Sequence, residues 1–268
     1  MGLSSNILWH QTNKDALKKI IKAKSFRFSY SLEYIKYENN ALKLAFPMLS
    51  LCDIPIADFA DYLTKYGGNS IGLSREWGIR HGITPVIYCE KTSPLLDNIK
   101  SMILRNKNEE ADLFFLKFLS HVKNHEGELP KYNYKKYRFY DEHEMRIIPK
   151  LKELQELNLQ PILFEDEYKE YKKHNKELSL LPHLNIPFSY NDIRYIILKD
   201  DKSIEDVKHI LSKEIDLSKT NISFFTTSQI EEDFIGISHN KRVIEDEKIK
   251  LSQKIVVDKR GIVNCLEH

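Results

Sequence analysis

Cysteine is scarce in this chain, and its cysteines are isolated from one another. Cys52, Cys89 and Cys265 form no C-x-x-C pair, which argues against a zinc ribbon or a dithiol redox motif. An odd number of scattered cysteines is typical of a reducing compartment, so we expect no disulfide framework. The ten histidines show no spacing known for structural zinc, and the sequence predicts that no metal is bound.

Long apolar runs are also missing. The longest, over residues 113–119, is far too short to span a bilayer. The first ten residues lack a basic stretch followed by an apolar core, so no secretory signal is predicted. These absences predict a soluble, cytoplasmic protein that does not enter a membrane.

Neither sign of charge dominates the composition. Lys and Arg number 41, Asp and Glu number 39, and the formal net charge is +2. Such a balance gives no overall field to attract nucleic acid, although it leaves room for a local basic patch. Hydrophobic residues make up 41% of the chain, which is enough for a sizeable core.

Short segments of strand and helix periodicity alternate along the chain. Phe26, Phe28 and Tyr30 alternate with polar residues, which is typical of a half-buried strand. The mixture of short strands, turns and helices predicts an α+β fold with a central mixed or antiparallel sheet. The predicted strands include residues near 7–10, 71–73, 85–89, 144–148 and 193–198.

The chain shows no internal repeat and no low-complexity linker. We therefore predict a single α+β domain over residues 1–235 with a helical insertion near 92–130. Residues 236–265 are predicted to form a C-terminal extension, and residues 266–268 resemble the start of a vector-derived histidine tag.

The first candidate site residue is His10, at the end of the first predicted strand. A histidine in this place suits a ligand-facing hydrogen-bond donor, because one ring nitrogen donates while the other is oriented from behind. A core histidine with one satisfied nitrogen fits the same position. Both interpretations stay open.

A glycine-rich segment over residues 66–78 is the second candidate. Three of the nine glycines lie between residues 67 and 72. Glycine lets a backbone approach a ligand closely, and Ser74 could cap a helix whose N-terminus favours an anion. A tight turn followed by an ordinary helix cap explains the segment as well. The lysine and spacing of a P-loop are absent.

Acidic residues form a third cluster near residues 141–146. Glu142 and Glu144 are two apart in a predicted strand, so they should share one face with Arg146, and His143 should face the other way. Neighbouring like charges raise the pKa of one carboxylate, which Arg146 would oppose. A solvated edge strand is the alternative.

Residues 131–140 interleave aromatic residues with cations. Lys135, Lys136 and Arg138 lie among four tyrosines and a phenylalanine. This pattern fits base stacking combined with phosphate contact, and it fits an exposed edge strand about as well. If the protein binds nucleic acid, these three cations are the predicted contact.

Six stretches of the chain carry a family resemblance, and residues 66–89 are the most specific of them. They are ILWHQT at 7–12, SLCDIP at 50–55, YGGNSIGLSREWGIRHGITPVIYC at 66–89, DEHEMRII at 141–148, NDIRYIIL at 191–198 and ISFFTTSQIEEDF at 222–234. In these stretches, which sample most of residues 5–235, the chain resembles the AbiGi family of bacterial abortive-infection proteins. This resemblance implies a role in phage resistance, as the antitoxin side of a two-gene system whose other gene encodes a nucleotidyltransferase-like toxin.

A more distant resemblance is to the ADP-ribosyltransferases, in the order of strand-end histidine, strand-to-helix Gly/Ser segment and strand glutamate. It implies NAD as the substrate, with His10 holding the nicotinamide-side ribose. It also implies Glu144 as the catalytic carboxylate, with Glu142 completing an E-x-E pair. No clear S-T-S triplet is present, so the middle pocket residue is open between Tyr66 and Ser74.

Two functions from different classes follow. One is an ADP-ribosyltransferase-like defence enzyme acting on nucleic acid or protein, in which Arg75 or Arg146 contacts the pyrophosphate of NAD. The other is a non-catalytic antitoxin that binds a partner toxin or operon DNA. Convergence of His10, Ser74 and Glu144 on one cleft would favour the enzyme. We also expect Glu144→Gln to abolish transfer without unfolding the protein.

Overall fold

A computed structural model describes residues 5–37, 40–66, 68–105, 112–129, 134–174, 180–233, 255–257 and 263–265. The predicted extension over 236–265 lies mostly outside the described residues, and the predicted tag remnant lies wholly outside them. The α-helices of the described part include α1 Lys14–Ala23, α2 Ile56–Tyr66, α3 Arg75–Arg80, α4 Pro94–Arg105, α5 Asp112–Leu119, α6 Leu151–Glu156, α7 Glu165–His174 and α8 Asp201–Leu211.

The described strands form one main sheet and three small two-stranded sheets. The longest are β2 Ser25–Tyr37 and β3 Asn40–Cys52, which pair as an antiparallel hairpin. The others are β1 Ile7–Gln11, β4 Ser70–Ser74, β5 Thr84–Pro85, β6 Ile87–Cys89, β7 Val122–Asn124, β8 Glu126–Leu129, β9 Tyr134–Arg138, β10 Glu144–Ile147, β11 Leu163–Phe164, β12 Leu180–Pro187, β13 Ile193–Leu198, β14 Ser223–Thr226, β15 Ile255–Val257 and β16 Val263–Cys265.

The main sheet is organised around β3, which changes partners along its length. Its first part pairs with β2 up to Met48. Its last residues pair with β10 from Leu49, and Cys52 also pairs with β1. The sheet continues from β1 through β4 to β13 and β14, and on the far side of β2 it ends at β12. The sheet is therefore divided near Met48, where β3 exchanges β2 for β1 and β10.

Helix α1 links the two strands that separate at this division. The Asn13 side chain caps the helix by accepting the Ala16 N–H at 2.9 Å. Leu17 and Ile21, four residues apart, are fully buried in the main core. Other residues of the helix face solvent or contact α8. An amphipathic helix thus fixes the spacing between β1 and β2.

The predicted α+β class with a mixed central sheet is confirmed. In the main sheet β14 runs parallel to β13, while the other described strand pairs of that sheet are antiparallel. The strand predicted near 85–89 is two strands, since β5 pairs with β10 and β6 pairs with β7. The insertion predicted near 92–130 is helical in α4 and α5 and then continues as β7 and β8. None of the described helices is long and apolar enough to cross a bilayer.

Candidate functional site

A cavity of about 980 Å³ opens where the sheet divides. Its walls come from β1, α1, β2 and β3, with further residues from β7 and the turn before β10. The volume is at the upper end of the range typical of small-molecule sites. The lining residues include His10, Gln11, Thr12, Ser50, Cys52, Tyr62, Lys123, Glu142 and Glu144.

Strand β2 gives the cavity a polar wall. Its even-numbered residues Phe26, Phe28 and Tyr30 are buried in the main core. Because side chains alternate along a strand, the odd-numbered residues face the other way. These residues, which line the cavity, are Ser25, Arg27, Ser29, Ser31 and Glu33.

Glu144 is bound on both carboxylate oxygens. Its Oε1 accepts from Ser50 Oγ at 2.8 Å and from Arg146 Nε at 2.7 Å. Its Oε2 accepts from Lys123 Nζ at 2.7 Å and from Arg146 Nη2 at 3.1 Å. Glu144 is 5% exposed and Arg146 is fully buried. The carboxylate is therefore held by two cations in one fixed orientation.

Glu142 reaches the same place by a different route. It ends a short 3₁₀ helix over 139–142, and His143 then takes a left-handed conformation with φ 43°. The expected common strand face therefore holds for Glu144 and Arg146 but not for Glu142. The turn nevertheless brings Glu142 Oε2 within 3.1 Å of Lys123 Nζ. One ammonium group thus bridges the two carboxylates.

Arg146 also contacts a third carboxylate. Its Nη2 donates to Glu33 Oε1 at 2.9 Å, so Lys123 and Arg146 between them contact Glu33, Glu142 and Glu144. Burial opposes ionisation of Glu144, but Arg146 and Lys123 outweigh it and hold its pKa well below the usual range. The Glu144 carboxylate is therefore ionised at neutral pH.

His10 is held from behind by the backbone of β3. Its Nδ1 lies 3.2 Å from the carbonyl oxygen of Ser50, and a carbonyl can only accept, so Nδ1 carries the proton. Burial lowers the pKa of His10, against the effect of this hydrogen bond, and favours the neutral ring. Nε2 is then a hydrogen-bond acceptor. The sequence predicts that His10 donates to the ligand, whereas in the structure its N–H donates to the Ser50 carbonyl oxygen.

Three other predicted site residues lie apart from the cavity lining. Ser74 caps α3 by accepting the Trp77 N–H at 3.3 Å, so the expected convergence holds for His10 and Glu144 but not for Ser74. Arg75 pairs with Asp53 at 2.7 Å. Arg146 lies behind Glu144, among buried residues. Tyr66 is the last residue of α2, and its side chain is outside the described part of the chain.

The glycines of the segment over 66–78 pack β4 and α3 against β1. A Cβ atom on Gly78 would lie 2.3 Å from Leu8 Cδ1, and one on Gly72 would lie 2.8 Å from side-chain carbons of Ile7 and Trp9. These positions require glycine because neighbouring strands fill the space. Close packing therefore accounts for these two glycines, and an ordinary helix cap accounts for Ser74.

The predicted nucleic-acid residues lie on the β8–β9 hairpin. Lys136 pairs with Glu126 at 3.2 Å, and Arg138 pairs with Asp141 at 2.7 Å. The side chain of Lys135 is outside the described residues. Each described cation thus has an acidic neighbour that reduces its attraction for phosphate.

Two other chemistries find little support among the described residues. No group of three or more His, Cys, Asp or Glu side chains is placed to hold a metal ion in that part of the chain. Cys52 lines the cavity, but burial raises the pKa of its thiol far above neutrality. A protonated thiol is a poor nucleophile, so Cys52 does not suit covalent catalysis.

Several lining residues were not singled out from the sequence. The alternation of β2 carried a usable signal, because Arg27 and Ser29 separate its core residues and Glu33 follows in phase. No sequence signal of this kind marks Lys123. It lies in the insertion, 21 positions before Glu144, and only folding brings the two together.

Comparison with known proteins agrees with the motifs. The family model "Putative abortive phage resistance protein AbiGi, antitoxin" matches residues 16–199. The abortive phage resistance protein AbiGi of Lactococcus lactis subsp. cremoris is 30% identical over 210 residues, which cover 66% of this chain and 84% of that protein. No solved structure matches the chain. The chain belongs to the AbiGi family of abortive phage resistance proteins.

Proposed function

We propose that this phage-resistance protein is an ADP-ribosyltransferase-like enzyme that binds NAD in the cavity between β1 and β2. The observation that carries the proposal is the meeting of His10 with Glu142 and Glu144 in one cavity. The neutral imidazole of His10 and the ionised carboxylate of Glu144 suit a ligand that combines ribose hydroxyls with a positively charged ring. NAD has both features.

The proposed reaction breaks one bond and forms one bond at the ribose carbon that carries nicotinamide. The C–N bond breaks, and nicotinamide leaves as a neutral base with the bonding electron pair. An oxygen or nitrogen of the acceptor donates a pair to the same carbon and releases its proton to solvent. Positive charge develops on the ribose as the bond lengthens, and a fixed carboxylate stabilises it.

The described contacts suggest how the cavity residues divide this work. His10 Nε2 accepts a hydrogen bond from a ribose hydroxyl, because its Nδ1 proton is bound to Ser50. The carboxylates of Glu142 and Glu144 stabilise the positive charge that develops on the ribose, and the Lys123 ammonium lies between them. The acceptor is a nucleic acid or a protein of the infected cell, and the reaction takes place in the cytoplasm.

Labelled NAD tests this proposal. Purified protein is incubated with host-cell extract and NAD labelled in the adenylate part, and we expect label on macromolecules. Glu142→Gln should reduce labelling roughly a hundredfold, the usual effect of losing one electrostatic contact to a transition state. Asp141→Asn is the matched control, because Asp141 is the exposed neighbour that pairs with Arg138.

Equal labelling by wild type and Glu142→Gln, with both proteins folded by circular dichroism, would contradict the assignment of Glu142. If no extract gives labelled macromolecules and no free nicotinamide is released, the proposal that the protein is an enzyme is wrong. The second readout covers an acceptor missing from the extract, since water then takes the acceptor's place.

A non-catalytic antitoxin is the second candidate, and one observation favours it. Both oxygens of Glu144 are occupied by protein donors, as in a structural ion cluster. The family description also contains the word antitoxin. In this case the chain binds a nucleotidyltransferase-like toxin or operon DNA. Co-expression with the neighbouring toxin gene should yield a stable complex, and Glu142→Gln should leave that complex intact.

A further inference from the structure

The cavity carries cations at one end that the proposed reaction does not use. Lys19 and Lys22 on α1 and Arg27 on β2 all line it, and all three are exposed. No described acidic residue lies within 4.0 Å of their charged groups. Asp15 is the one acidic side chain of α1 that also lines the cavity, so the local sum is three positive charges against one negative.

Helix α1 separates two sets of lysines by its two faces. Lys14 and Lys18 form ion pairs with Asp206 on α8 at 3.5 and 2.7 Å. Lys19 and Lys22 lie three positions apart on the face that lines the cavity. The lysines toward α8 therefore have a structural partner, while those toward the cavity do not.

Charge changes sign along the polar wall of β2. Arg27 lies near the start of this row and Glu33 at its end, six residues away, which is about 20 Å in a strand. Glu33 pairs with Arg146, in the cluster that also holds the carboxylates of Glu142 and Glu144. A ligand that spans the cavity therefore meets cations at one end and carboxylates at the other.

We propose that Lys19, Lys22 and Arg27 form a subsite for the diphosphate of a nucleotide ligand. The guanidinium group of Arg27 suits bidentate binding of phosphate oxygens, and the two lysines add point charges. The subsite rests on the proposed function and deepens it. A dinucleotide with a cationic ring would place its diphosphate against these cations and its ring against the carboxylates at the other end of the cavity. These three cations take the role predicted from the sequence for Arg75 or Arg146, the contact with the pyrophosphate of NAD. Arg75 instead pairs with Asp53, and Arg146 pairs with Glu144.

Calorimetric titration with ADP-ribose and with inorganic pyrophosphate tests the subsite without any catalysis. Arg27→Gln and Lys19→Gln should each weaken binding of both probes roughly tenfold, the equivalent of one charge-assisted hydrogen bond. Lys14→Gln is the matched control on the same helix and should bind like wild type. Binding should also weaken as salt is raised from 50 to 500 mM, because the cations are exposed.

The outcomes separate this subsite from the proposed enzyme. Binding of both probes with no turnover of NAD supports the subsite and overturns the enzyme. Turnover of NAD with unchanged affinity in both Gln variants overturns the subsite alone. Binding of a single-stranded oligonucleotide, but of neither small probe, assigns the cations to nucleic acid and also overturns the subsite. Melting temperatures of all variants should match wild type, because these side chains are exposed.

Discussion

Glu144 shows how one side chain joins the candidate site to the core. Its carboxylate accepts from Ser50, Lys123 and Arg146, and the last of these has no exposed surface. An acidic residue so deeply buried is stable only because cations and donors surround it. The same contacts that place it in the cavity therefore also hold β10 on β3.

Glu144→Gln should destabilise the protein by about 3 kcal/mol, because breaking a buried ion pair leaves charge without compensation. The amide nitrogen would face donors of Lys123 or Arg146 where the carboxylate accepted them. This revises the expectation that the variant stays fully folded, which assumed a carboxylate facing an open cleft. Urea unfolding measures the difference, and a change below 0.5 kcal/mol, as at an ordinary surface position, would contradict it.

At the scale of elements, strand β7 connects the insertion to the sheet. Lys123 extends from β7 into the cavity. Asn124 accepts the Lys36 N–H at 2.6 Å and donates to the Lys36 carbonyl at 2.8 Å. Its amide thus provides the hydrogen bonds that a neighbouring strand would provide, and it satisfies β2 at this point. The insertion is therefore part of the wall of the site.

Asn124→Ala should lower the free energy of unfolding by about 2 kcal/mol, because it leaves a backbone donor and a backbone acceptor without partners. Asn221→Ala, at an exposed position, is the control. The amide of Lys36 should also exchange faster with solvent in Asn124→Ala. Unchanged exchange at Lys36 would show that the side chain does not substitute for a strand.

At the scale of the whole molecule, stability in acid depends on carboxylates whose pKa differs between the folded and unfolded states. Glu144 has a pKa below its usual value in the folded state, where burial is outweighed by Arg146 and Lys123. A carboxylate of this kind stabilises the fold fully above its unfolded pKa of about 4.3. That contribution is lost as the pH falls through the lower, folded pKa.

The free energy of unfolding of the wild type should therefore fall as the pH drops from 5 to 3. In Glu144→Gln the slope should be smaller by up to about 1.4 kcal/mol per pH unit, the effect of one proton. Urea midpoints at pH 5, 4 and 3 measure both slopes. Parallel slopes would mean that Glu144 has an ordinary pKa in the folded protein.

The sequence by itself determined the fold class, most of the main strands, the family, and His10 and Glu144 as candidates. These follow from alternation and motif order, which are properties of neighbouring residues. Tertiary structure decided which candidates meet. In the folded chain Ser74 caps α3, Arg75 pairs with Asp53, and Lys123 lies between the two carboxylates. Contacts such as Arg146 with Glu33 join positions 113 apart, and only the packing of β10 against the β2–β3 hairpin could place them together.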